Sequence, residues 1–145
     1  MEFPITDLIS KEQSEQWILE HFHPEGLKCP LCDASVEEAR SFRTTDRSQL
    51  TVYGCRHCDQ PYNLYTGTVF QQRHLTPQQV VMLVRGVCKG EPSKTLAAEL
   101  GLNYGTVLGL RRAIQTNAEY LQAEEDLPDN VTETDEMFQN AGEKR

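Results

Sequence analysis

The chain has 145 residues, 38% of them hydrophobic and 25% charged, which fits one or two small globular domains and excludes a disordered polymer. Its longest apolar stretches, such as VVMLV at 80–84, are far too short to span a bilayer, and MEFPITDLIS lacks the basic-then-apolar pattern of a secretory leader, so the sequence reads as cytosolic with no membrane partner. The formal net charge of −8 is unevenly spread: residues 1–25 carry six acids and one base, 123–145 eight acids and two bases, while 26–75 carry six bases against five acids and 76–122 five against three. A mildly basic middle between acidic ends is only a weak electrostatic footprint of a nucleic-acid surface, so the motifs have to decide.

In chain order, the first expected element is a helix over 11–22. Ser10 and Gln13 form a capping-box pair ahead of WILEHF, and His23-Pro24-Glu25-Gly26 ends the run. Trp17, Ile18 and Phe22 are expected to pack against the cysteine-bearing segment that follows.

Four of the five cysteines form two pairs, CPLC at Cys29 and Cys32 and CRHC at Cys55 and Cys58, with 22 residues between them. Each C-x-x-C makes a tight turn whose two sulfurs point at one spot, and two such turns joined through a hairpin supply a tetrahedral thiolate site for structural zinc. QLTVY (49–53) and PYNLY (61–65), rich in β-branched and aromatic residues, read as antiparallel strands flanking the second pair. A redox dithiol or two disulfides are the competing readings, and the paired spacing without a leader disfavours both. His21, His23 and His57 are read as surface residues, and Cys88 as a small core residue on a later helix.

The second half is helical in pattern. Thr76, Pro77 and Gln79 give a strong start signal for a helix from 77 to about 89, with Val80, Leu83, Val84 and Val87 on one apolar stripe and Gly90 as its stop. PSKTLAAELGLNYGTVLGLRRAIQ then reads as two helices joined at Gly101–Asn103. Leu96, Ala97 and Leu100 line one face of the first, Val107, Leu110 and Ile114 one face of the second, and Asn103 is placed to cap the second. The pattern is that of a helix-turn-helix, whose second helix would offer Tyr104, Thr106, Arg111 and Arg112 to DNA; an ordinary helical hairpin is the bland alternative. Arg40, Arg43, Arg47 and Arg56 of the ribbon are a second basic set.

Taken in order, a helix ending in HPEGLKCPLC, a second knuckle in YGCRHC, the phrase YTGTVF at 65–70, the helix pair and the closing TDEMFQNAGEK resemble the N-terminal part of a bacterial insertion-sequence transposase with a zinc ribbon ahead of a DDE-type, RNase H-like nuclease. The resemblance runs from about residue 10 to residue 143. It implies a small α+β chain: an N-terminal helix (1–25), a four-cysteine zinc ribbon (26–72), a helix-turn-helix domain (76–122), and an acidic linker leading into the first strand of a truncated nuclease core (123–145). It also implies that Asp135, in VTETDEMF, is the first carboxylate of a catalytic triad that works with Mg²⁺ or Mn²⁺ in a complete nuclease. The sequence ends ten residues after Asp135, so the tail is expected to be loosely packed and the chain alone to lack strand-transfer activity. The implied partner is double-stranded DNA at terminal inverted repeats, in the nucleoid, with self-association left open. A standalone zinc-ribbon regulator and a zinc-stabilised interaction module fit the same residues.

Overall fold

A computed structural model describes residues 5–122, which form a small α+β fold of four α-helices and one three-stranded antiparallel sheet. After a 3₁₀ turn at Ile5–Leu8 comes α1 (Lys11–Phe22), where the Ser10 hydroxyl accepts the Gln13 N–H at 3.3 Å. Ile18 is fully buried on its inner face. Phe22 meets Phe70 edge-on at 5.9 Å, and His23 Nε2 lies 2.7 Å from the Leu64 carbonyl, so α1 is tied to the segment after the sheet. His23 is therefore part of the scaffold, whereas His21 and His57 lie on the surface.

The sheet consists of β1 (Ala39–Thr44), β2 (Thr51–Cys55) and β3 (Pro61–Tyr62), paired in that order, with Ala39 opposite Cys55, Thr44 opposite Thr51 and Tyr53 opposite Tyr62. β2 overlaps the expected 49–53 strand but runs on to Cys55, and β3 keeps only the first two residues of the expected 61–65 strand, because the chain turns after Asn63. β1 was not expected: beyond Ala39 it is exposed throughout, and an irregularity in pairing between Ser41 and Arg43 leaves Phe42 out of register. A strand held by its ladder rather than by burial carries no alternating apolar signal.

YTGTVF builds a compact corner below the sheet. Asn63 Oδ1 accepts the Tyr65 N–H at 2.9 Å, the Thr68 hydroxyl donates to the Tyr65 carbonyl at 2.7 Å, and the Tyr65 hydroxyl donates to the Leu75 carbonyl at 2.7 Å. Tyr65 and Phe70 are among the largest fully buried side chains, and burial holds the Tyr65 phenol well above its usual pKa.

α2 (Pro77–Cys88) starts with a complete capping box between Thr76 and Gln79. The Gln79 amide has two roles: its oxygen accepts the Thr76 N–H at 2.9 Å, and its nitrogen donates to the Leu100 carbonyl, also at 2.9 Å, at the end of α3 (Ser93–Leu100). Gly86 lets α2 and α3 close up, since a Cβ there would sit 2.2 Å from Leu96 Cδ2. Cys88, expected in the core, is exposed on the last turn of α2, on the flank of the stripe where periodicity does not separate inside from outside.

Gly101 ends α3 in the left-handed conformation (φ 65°), and α4 (Tyr104–Gln122) follows after two residues. Asn103 Oδ1 accepts the Gly105 N–H at 2.8 Å, the cap its side chain suggested. One buried cluster joins Ile18, Leu50, Tyr65, Phe70 and Leu75 to Val80, Leu83, Leu96, Val107 and Leu110, so a single core crosses from the sheet segment into the helices. No helix among the described residues is long and apolar enough to cross a membrane.

Candidate functional site

The two C-x-x-C segments fold into matching knuckles. In the first, the Cys29 N–H donates to the Ala34 carbonyl (2.9 Å) and the Asp33 N–H to the Cys29 carbonyl (3.0 Å); in the second, the Cys55 N–H donates to the Gln60 carbonyl (3.1 Å) and the Asp59 N–H to the Cys55 carbonyl (3.0 Å). Each turn closes through an aspartate in the left-handed region, Asp33 at φ 57° and Asp59 at φ 58°, a conformation Asp tolerates better than most residues. This C-x-x-C-D repeat is visible in the sequence as CPLCD and CRHCD.

The β1–β2 hairpin carries one knuckle onto the other. Sγ–Sγ separations are 3.4 Å for Cys29–Cys58, 3.4 Å for Cys32–Cys55 and 3.7 Å for Cys32–Cys58, and all four sulfurs lie within 4.8 Å of one another. A disulfide needs about 2.0 Å, and all four thiols are free. A tetrahedral ion with metal–sulfur bonds of about 2.3 Å puts its ligands roughly 3.8 Å apart, so the donor set fits a metal such as zinc.

The electrostatics point the same way. Burial resists ionisation of Cys29, but the N–H groups of Cys32 and Leu31 and the thiols of Cys58 and Cys32 outweigh it and bring the pKa down to about 7. The Cys58 N–H is the largest influence on Cys55 and also lowers it. For Cys58 the Gln60 N–H favours the thiolate, yet the Cys29 thiol, burial and the thiols of Cys55 and Cys32 together push it up to about 12. Cys32 is likewise raised, the Ala34 N–H being outweighed by the Cys55 thiol, burial and the Cys29 thiol. Cys29 and Cys55 thus ionise more readily than a free cysteine, and Cys32 and Cys58 less readily, as expected of four like groups crowded together.

Below the sulfurs, Leu27 and Tyr62 complete a small buried cluster with Cys29 and Cys55. Burial, then the Cys29 and Cys55 charges, raise the Tyr62 phenol, and its hydroxyl has no partner among the described residues. At the rim, Arg40 faces Asp59 at 3.6 Å and His57 faces Glu38 at 3.3 Å, both pairs exposed and worth little in stability.

On α4, Val107 and Leu110 are buried and Ile114 packs against the same core. Tyr104 and Arg112 are exposed and Thr106 is half-buried. Arg111 is half-buried and donates through Nη2 to the Glu91 carbonyl, tying α4 to the loop between α2 and α3, while its Nε is buried without a partner among the described residues. Gly105 and Gly109 lie on the exposed side with Arg112 and Thr116, and a Cβ at Gly109 would meet nothing within 4 Å. Asp135 and the expected strand VTETDEMF lie outside the described residues.

No family model matches the chain, and no solved structure matches it. Over 143 residues, 97% of its length, the chain is 29% identical to an uncharacterized protein in transposable element ISH50 of Halobacterium salinarum. It spans 46% of that protein's length. The similarity supports a mobile-element origin, and the four clustered cysteines support a metal-binding module within it.

Proposed function

We propose that this chain is the DNA-recognition part of a DDE-type transposase, built as a zinc ribbon followed by a helix-turn-helix that binds the terminal inverted repeats of its element. The observation that carries this reading is the similarity, along nearly the whole chain, to a protein of a transposable element. The physical support is local. Zinc suits four thiolates better than a hard cation does, and α3 and α4 meet through a left-handed glycine and a capping asparagine, as the turn of a helix-turn-helix requires.

α4 is the helix we assign to the major groove. Its exposed side carries Tyr104 and Arg112 and two glycines that leave the backbone open to close approach, with Thr106 beside them. Arg111 acts from behind this surface, holding α4 on the Glu91 carbonyl. By the resemblance of TETDEMF, Asp135 is assigned as the first metal-binding carboxylate of the nuclease, working with Mg²⁺ or Mn²⁺ and the further carboxylates of a complete nuclease core.

Fluorescence anisotropy of the zinc-loaded chain with labelled duplexes from the DNA bounding its reading frame tests the reading. Element-end duplexes are expected to bind more tightly than an unrelated duplex, with affinity falling steeply as salt rises. Arg112→Ala is expected to weaken binding about tenfold with helicity unchanged. No binding to any duplex at low salt would overturn the assignment.

A further inference from the structure

A concave basic cleft lies where the β1–β2 turn, the 70–75 segment and the start of α4 converge. It encloses about 310 Å³, and its lining includes Arg47, Arg73, His74, Asn103 and Thr106. Arg47, Arg73 and His74 are each flanked by buried residues. Arg47 sits in a turn closed by the Thr45 hydroxyl, which accepts the Leu50 N–H at 2.9 Å, with Ser48 and Leu50 buried on either side of Gln49. Arg73 and His74 lie between Phe70 and Leu75, both buried, and the Arg73 N–H donates to the Phe70 carbonyl at 3.0 Å.

The charges in this cleft differ from those elsewhere on the ribbon. Arg40 has Asp59 and His57 has Glu38, but among the described residues neither Arg47 nor Arg73 has a carboxylate within ion-pair distance, and no carboxylate lines the cleft. Asp46, next to Arg47 in the chain, is not part of the lining. Two arginines lining one hollow without a counter-charge raise its positive potential, and an anion relieves it. Guanidinium groups match phosphate oxygens two at a time, and the Asn103 and Thr106 side chains add polar contacts at the positive end of α4.

We infer that this cleft seats a backbone phosphate of double-stranded DNA, with Arg47 and Arg73 as its charged contacts. The inference rests on the DNA-binding reading above and deepens it: the strand leaving the groove beside α4 crosses onto the ribbon turn, so both halves of the chain hold one duplex. Such a contact fixes position and carries no base information.

The test is the salt dependence of binding by the full zinc-loaded chain, using a mixed-sequence duplex and an element-end duplex. In the double variant R47A/R73A the slope of log affinity against log salt is expected to fall by about 1 on both duplexes, the share of one phosphate, with affinity at low salt down about tenfold or more. Zinc content and circular dichroism should stay unchanged because both side chains are exposed, and R47K/R73K should recover most of the slope. An unchanged slope in R47A/R73A, with the parent chain binding normally, overturns the cleft and leaves DNA binding standing. Failure of the parent chain to bind either duplex overturns both.

Discussion

The two buried clusters of this chain are stabilised in different ways. The one under the knuckles comprises Leu27, Cys29, Cys55 and Tyr62, so half of it is cysteine that could hold a metal. The one that unites α1, the YTGTVF corner and α2–α4 contains thirteen buried residues, all hydrophobic. The first has too little apolar surface to hold a three-stranded sheet unaided, and its sulfurs repel one another as they ionise. The second needs no ion. The packing boundary does not follow the one suggested by the cysteine motif: Leu50, Leu64, Tyr65 and Phe70, all close to the knuckles in sequence, belong to the large apolar cluster, which is expected to hold without a metal.

The largest effect that can break this comparison comes from removing the metal. Structural zinc contributes apparent energies of about 10 to 16 kcal/mol, so chelation or Cys55→Ser should melt β1–β3 and erase the near-ultraviolet signal of the Tyr53–Tyr62 pair, whose rings lie 5.8 Å apart. The single tryptophan, Trp17, packs on the large core, so its fluorescence and most of the helical signal should persist. Simultaneous loss of both signals would make the two clusters one cooperative unit. Because bound thiols must lose their protons, apparent zinc affinity should also rise with pH, which a competition titration would read directly.

A smaller effect probes the other side. Phe70→Ala removes a fully buried ring from the large core and should cost about 3 to 5 kcal/mol in denaturant melts followed by Trp17, with the stoichiometry of bound zinc unchanged. Loss of zinc in this variant would show that the corner supports the knuckles after all.

The smallest effect concerns the exposed side of α4. Nothing packs where a Gly109 side chain would go, so Gly109→Ala should stabilise the helix by about 0.5 to 1 kcal/mol in thermal melts. If the same change weakens duplex binding, the glycine is there for the DNA; if stability does not rise, the open space around it is not the relevant constraint.

The legibility of these regions in the sequence follows from the range of the interactions that make them. The cysteine cluster is readable because a C-x-x-C turn is a four-residue event, and the helix starts at Ser10 and Thr76 because caps are local too. β1 was missed because its partner, β2, supplies all that holds it. YTGTVF was read as a family phrase, and its physical content, a hydroxyl-braced corner with Tyr65 and Phe70 as core, depends on Leu75 and Phe22, neither of which the phrase contains. Arg111 was read as facing DNA because Val107, Leu110 and Ile114 point the other way. Its guanidinium instead meets a carbonyl twenty residues earlier, a tertiary contact no periodicity encodes.

Gln79 fixes two helix ends with one amide, and the two halves of that amide are not interchangeable. As the third helical residue of a capping box the position accepts Glu as readily as Gln, because the cap asks only for an acceptor. The Leu100 carbonyl asks for a donor, and a carboxylate there would face it oxygen to oxygen. A substitution that local rules score as neutral would therefore loosen the seat of the turn that aims α4, so a pocket-sized choice between nitrogen and oxygen sets the bearing of a nineteen-residue helix.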